Sequence, residues 1–138
     1  MPSFGARSRK NLDTCDERLI VLLEECIQYF DFSVIEGHRT TEIQKRYYAD
    51  GKSKLDGVNQ RSKHQATPSL AVDVMPYPPT LHGKNVWQDR ERWYLFIGRI
   101  KGVADMLKID IRVGADWNGD GSTSDQSFHD LPHIEISV

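Results

Sequence analysis

Two histidines and two aspartates, set in two widely separated short segments, carry most of the chemistry this 138-residue sequence offers. The first segment is Ser62-Lys63-His64, leading into Ala71-Val72-Asp73-Val74-Met75-Pro76. The second is His129-Asp130-Leu131-Pro132-His133-Ile134-Glu135-Ile136. His64, Asp73 and His133 could hold one metal. A catalytic zinc typically takes three protein ligands and leaves a fourth position for water. Asp130, three residues before His133, is a spare carboxylate that could then deprotonate that water.

The elements around these residues are built to present them. In Ala71-Val72-Asp73-Val74 a strand would send Val72 and Val74 to one face and Asp73 to the other. His133-Ile134-Glu135-Ile136-Ser137-Val138 repeats the pattern, with Ile134, Ile136 and Val138 as the core face and His133, Glu135 and Ser137 turned away. Pro132 argues against a helix, so Asp130 and His133 sit where a loop enters a strand.

These residues resemble the zinc peptidases that include D-Ala-D-Ala dipeptidases, D,D-carboxypeptidases and the L-alanyl-D-glutamate endolysins of phages. That family carries Ser-x-His, an acid in an Ala-x-Asp-x-x-Pro context, and an acid three residues before a final His. The matching positions are Ser62, His64, Ala71, Asp73, Pro76, Asp130 and His133. Arg39, in Glu36-Gly37-His38-Arg39-Thr40, matches an arginine that helps bind substrate or the developing oxyanion. The resemblance runs from about residue 30 to the C-terminus and is closest to the short phage endolysins, which use Asp as the base. One departure is the spacing. Eight residues, Gln65 to Val72, separate His64 from Asp73 where many members have six, so this loop must bulge differently.

The resemblance implies an α+β fold of the D,D-peptidase/hedgehog-like type, a small antiparallel sheet with helices packed on one side and a zinc cleft. It implies zinc on His64, Asp73 and His133, Asp130 and Arg39 in catalysis, and Arg39 and Ser62 in substrate binding. The expected activity is hydrolysis of the L-alanyl-D-glutamate bond of peptidoglycan stem peptides for host lysis. A D-alanyl-D-alanine carboxypeptidase or dipeptidase, or a non-catalytic metal-binding module on the same fold, are the alternatives.

Composition fits one small domain over residues 1–138. The formal net charge is -2, and no basic stripe suggests nucleic acid. The longest aliphatic run, Leu19 to Leu23, is too short to span a bilayer, and the N-terminus has no hydrophobic signal core. A monomer without signal peptide is expected, accumulating in the host cytoplasm and acting on the cell wall once the membrane is breached. No separate wall-binding domain is evident.

The element order reads as α+β. Thr14-Cys15-Asp16-Glu17 is a capping box opening a helix to about Tyr29, which would place Cys15 and Cys26 on one helix as two reduced, partly buried thiols. A strand is expected over residues 32–36, and a helix capped by Thr40 or Thr41 ends near Gly51. A polar loop follows to residue 70, then a strand over 71–74 and a Pro-rich loop to Gly83. A helix spans about 89–108, with Trp93, Phe96, Ile97, Ile100, Val103, Ala104 and Leu107 on its buried stripe. A strand over 109–113 and a long loop precede the last strand.

Within that long loop, Asp116, Asn118 and Asp120 place oxygen ligands at positions 1, 3 and 5, and Gly121 stands at position 6, as at the start of a calcium loop. Ser127 replaces the bidentate Glu and no flanking EF-hand helices are evident. A lone calcium-binding loop using Asp116, Asn118, Asp120 and Asp125 is therefore expected, against an Asx-rich solvated turn. Glu135 is expected as a solvated strand residue, with partnership to a ligand as the other reading. His38, His82 and His129 read as surface polar residues. Trp87 and Trp117 are candidates for a substrate groove, and Trp93 for the core.

Overall fold

The computed structural model describes residues 2–124 and 130–137. Helix α1 (Ala6–Leu12) was not expected; only Leu12 on it is buried, so it has no apolar stripe to read. Helix α2 (Glu17–Ile27) buries Leu19, Leu22, Leu23, Cys26 and Ile27 at helical spacing. Its N-cap is Asp16, whose side chain accepts from Arg18 N, rather than Thr14. The Thr14 hydroxyl instead donates to Asn11 O at 2.7 Å and accepts from His38 N at 2.8 Å. Cys15 therefore stands outside the helix that carries Cys26. Both are buried free thiols, and burial pushes their pKa values up to about 11 and about 12.

Strand β1 (Phe32–Glu36) and helix α3 (Thr41–Ala49), capped by the Thr40 side chain, follow as expected. Strand β2 runs from Ala71 to Pro76. The Pro-rich loop contains a small hairpin, β3 (Thr80–Leu81) and β4 (Lys84–Asn85). Helix α4 (Arg90–Leu107) is capped by Asp89 and buries Trp93, Phe96, Ile97, Ile100 and Ala104, while Val103 and Leu107 are only partly buried. Strands β5 (Ile111–Val113) and β6 (His133–Ile136) close the chain. β5 begins two residues later than expected because Ile109 N still bonds back to Ala104 O at 2.9 Å.

Four strands form one antiparallel sheet in the order β1-β2-β6-β5. Its aliphatic face, Val34, Val72, Val74, Ile134 and Ile136, meets the buried side chains of α2 and α4 in one core. This is the expected α+β arrangement. The outer edge of β1 is covered by α1: Val34 N donates to Ser8 Oγ at 3.0 Å, and Asn11 Nδ2 donates to Val34 O at 2.9 Å.

Candidate metal centre

The second face of the sheet gathers the functional side chains through cross-strand pairing. Asp73 on β2 lies directly opposite His133 on β6, which brings their side chains side by side on one face. The register between β1 and β2 shifts between Val34 and Glu36, so Glu36 rather than Ile35 faces Asp73. A bulge of this kind re-aims a side chain, here a carboxylate onto the polar face. One step along, Ala71 pairs with Glu135 and Glu135 with Arg112.

His64 reaches the same spot from outside the sheet. It sits in a single 3₁₀ turn, Lys63–Gln65, fixed by a reciprocal cap: Ser62 Oγ accepts from His64 N at 3.2 Å, and Ser62 N donates to Gln65 Oε1 at 2.9 Å. His64 Nδ1 lies 2.7 Å from Gly37 O. A carbonyl only accepts, so Nδ1 carries the proton and the Nε2 lone pair is left facing Asp73. The backbone at Gly37 passes so close to Asn11 O and Thr14 Oγ1 that a Cβ there would overlap both. The long loop from Gln65 to Val72 is pinned at Ser69, whose N donates to Thr14 O at 2.9 Å and whose O accepts from Asp16 N at 2.8 Å.

His64 Nε2 is 3.3 Å and His133 Nδ1 is 3.5 Å from Asp73 Oδ1. His64, Asp73 and His133 offer ligand atoms that all lie within 4.8 Å of one another. His64 Nε2 and Asp73 Oδ1 are buried without a hydrogen-bond partner. Converging acceptors left this way are costly, and a cation held between these two atoms and His133 would satisfy both. The donor set of two imidazoles and one carboxylate suits zinc. Burial would raise the Asp73 pKa, but the approach of His133 and His64 outweighs it and holds the group below the usual carboxylate range.

Glu135 departs from the expectation of a solvated residue: it is only 4% exposed. Its Oε1 is 2.8 Å from His133 Nε2, and its Oε2 meets Lys63 Nζ at 2.9 Å and Arg112 NH2 at 3.0 Å. Glu135 thus accepts a hydrogen bond from Nε2–H of His133 and leaves Nδ1 to face a metal. Burial opposes its ionisation, yet His133 and Lys63 hold its pKa down to about 2. Lys63 also donates to Ile136 O, tying the turn that carries His64 to the strand that carries His133. Burial would lower the His133 pKa, but Asp73 and Glu135 push it up to about 9 in the metal-free chain. The centre therefore attracts a positive charge. We expect Glu135→Gln to keep the fold and weaken zinc binding by about 10–100-fold, read by competition with a chromophoric chelator.

Asp130 lies beside the cluster, with Oδ2 3.9 Å from His133 Nδ1. Gly114 makes this possible. Asp130 N donates to Gly114 O at 3.1 Å, Gly114 N donates to His133 O at 2.9 Å, and a Cβ at 114 would overlap the Asp130 carbonyl. Burial first, and then the charge of Asp73, raise the Asp130 pKa. A carboxylate so shifted is a better base near neutral pH.

The other expected site residues are placed as follows. Arg39 reaches the cleft but is 8% exposed and committed. Its Nε donates to Glu36 Oε1 at 2.6 Å, NH2 pairs with the same oxygen, and NH1 donates to Gln44 Oε1 at 2.6 Å. NH2 also stands 3.8 Å from Asp73 Oδ2. It makes the structural ion pair, and its charge reaches Asp73. Ser62 lines the cleft while its hydroxyl caps the His64 turn. Trp117 lines the cleft, with its ring centroid 5.3 Å from that of His133. Trp87 does not line it; it packs on the core residue Trp93 at 5.3 Å. At the expected calcium loop, Asp116 Oδ2 accepts from Gly121 N at 2.8 Å, Asn118 Oδ1 from Asp120 N at 3.3 Å, and Asp120 Oδ1 from Ser122 N at 2.8 Å. Asp116 Oδ2 also lies 3.5 Å from Lys101 Nζ. Asp125, Ser127 and His129 lie outside the described residues.

Gln44 and Gln65, which no motif marks, hold the cleft wall. Gln44 Nε2 donates to Ser53 Oγ at 2.9 Å and Leu55 O at 2.7 Å, and Gln65 Nε2 donates to Gly57 O at 3.0 Å. A cleft of about 610 Å³ results, walled by residues 52–55 and floored by His64, Asp73 and His133.

A family model for phage L-alanyl-D-glutamate peptidases matches residues 2–137. The chain is 28% identical over 138 residues to the L-alanyl-D-glutamate peptidase of Escherichia phage T5, covering 96% of each chain. It also superposes on the crystal structure of the Serratia marcescens L-Ala D-Glu endopeptidase ChiX. There the TM-score is 0.72 and the identity 25%, over 97% of this chain and 89% of the other.

Proposed function

The chain belongs to the phage L-alanyl-D-glutamate peptidase family, and from that premise we propose which residues and which metal carry the peptidase activity. The proposed reaction is zinc-dependent hydrolysis of the amide between L-alanine and D-glutamate in peptidoglycan stem peptides, as a phage lysin acting on the host cell wall. No helix among the described residues is long and apolar enough to cross a membrane.

His64 Nε2, Asp73 Oδ1 and His133 Nδ1 would hold the zinc. The observation that carries this is their convergence, with two of the three atoms buried and unpartnered. Zinc, when bound, supplies a Lewis acid that polarises the carbonyl and lowers the pKa of a water ligand to about 7. Asp130 takes the proton of the attacking water and returns it to the departing amine nitrogen of glutamate. Glu135 fixes the tautomer of His133, and Gly37 O that of His64. Arg39 holds Glu36 and Gln44 and adds positive charge near the developing oxyanion. Mass spectrometry of products from a defined stem peptide tests the reading: a new N-terminal glutamate is expected. Release of terminal D-alanine instead would assign the chain to the carboxypeptidase alternative.

For the turn at Asp116 to Gly121 we propose weak binding of one calcium ion. The support is Asp116 Oδ1, buried without a hydrogen-bond partner, in a turn where Asn118 and Asp120 follow at the third and fifth positions. Since the loop leads to Asp130, calcium is expected to raise the activity of chelator-treated, zinc-reloaded enzyme. Asp116→Ala with Asp120→Ala should abolish that response. Calorimetry without binding heat up to millimolar calcium would leave this loop a solvated turn.

A further inference from the structure

The cleft is lined by six cationic side chains, Arg39, Lys52, Lys54, Arg61, Lys63 and Arg112, in a chain whose net charge is -2. Arg39 is bound to Glu36 and Gln44, and Lys63 and Arg112 both pair with Glu135. Lys52, Lys54 and Arg61 line the cleft from the segment of residues 52–61 and are solvent-exposed. Lys52 Nζ lies 5.9 Å from the centroid of the Tyr47 ring, which also lines the cleft. The one acid in this wall, Asp56, turns its Oδ1 onto the backbone N–H groups of Val58, Asn59 and Gln60 at 2.9–3.0 Å. The buried Gln44 and Gln65 fasten the wall to the parts that carry Arg39 and His64. It is a positioned basic surface.

That surface faces a floor carrying Asp73, Asp130 and Glu135. The substrate, on the reading proposed above, is an anion. A glutamyl residue acylated on nitrogen has two carboxyl groups, and the peptide continues through at most one. At least one carboxylate therefore sits within a few bonds of the scissile nitrogen. We propose that Lys52 and Arg61 form the subsite for this glutamyl carboxylate and make the enzyme selective for it over the uncharged carboxamide. Arg61 supplies a planar fork that matches a carboxylate, and Lys52 a mobile point charge. Such pairs at a cleft rim are individually weak, and the two together are expected to give roughly a tenfold preference.

The test uses the zinc-loaded full chain and two synthetic stem peptides that differ only in that carboxylate, acid against carboxamide. Wild type should cleave the acid with kcat/KM about tenfold higher, chiefly through KM, and the ratio should shrink as salt is raised. Lys52→Gln with Arg61→Gln should bring the ratio close to one, and Lys52→Glu with Arg61→Glu should invert it. Both substitutions are at exposed positions, and zinc content reports an intact centre. Equal cleavage of the two peptides by wild type overturns the subsite while leaving the peptidase reading intact. A preference that survives in both double variants places the carboxylate elsewhere in the cleft and also overturns it. Cleavage of neither peptide by wild type would reject the peptidase reading and the subsite together.

Discussion

Asp130→Asn should lower turnover of a defined stem peptide by about 10²–10⁴-fold, the range for loss of a general acid–base group. Asn is nearly isosteric and keeps the backbone contacts with Gly114 and His133 that place residue 130, so zinc content and melting behaviour should match wild type. What it loses is the capacity to accept a proton. The raised Asp130 pKa, caused first by burial and then by Asp73, adds a pH signature. The acid limb of wild-type activity should lie above the usual carboxylate range and vanish in the residual activity of the variant. Near-wild-type turnover by Asp130→Asn would mean that the base is another group. Glu135 is a poor substitute for that role, because its two oxygens are held by His133, Lys63 and Arg112.

His64→Ala should remove zinc and with it essentially all activity. Two ligands, Asp73 and His133, would remain, and the tight three-point set would be gone. Elemental analysis of the purified variant should give far less than one zinc per chain against one for wild type. Proton competition offers a second reading of the same centre. His133 must release its Nδ1 proton to bind metal, and its pKa in the metal-free chain is about 9. Apparent zinc affinity should therefore fall as pH drops below that value, about tenfold per unit for one displaced proton. Full zinc occupancy in His64→Ala would remove His64 from the ligand set.

The convergence of His64, Asp73 and His133 was legible in the sequence because each residue is local to a motif. Asp73 and His133 alternate with aliphatic neighbours, and antiparallel pairing then sets them opposite one another. What surrounds them was not legible. Glu135 has the same parity as His133, so its direction could be read. Its burial could not, because its partners Lys63 and Arg112 come from distant elements. Glu36 reaches the polar face only through a bulge, which leaves no mark in a strand's alternation. Gln44 looks like an ordinary surface residue of an amphipathic helix, yet it is fully buried against Arg39 and residues 53–55. Helix α1 was missed because Ala6 to Leu12 buries only one side chain. Two-residue strands such as β3 and β4 are too short for any period to register.

One metal is expected between His64, Asp73 and His133. Anomalous diffraction from crystals of the zinc-loaded protein, collected on both sides of the zinc absorption edge, tests it most directly. The expected result is one strong peak per chain in contact with His64 Nε2, Asp73 Oδ1 and His133 Nδ1, within reach of Asp130. A zinc peak elsewhere, or active crystals with no peak at this cluster, would contradict the account.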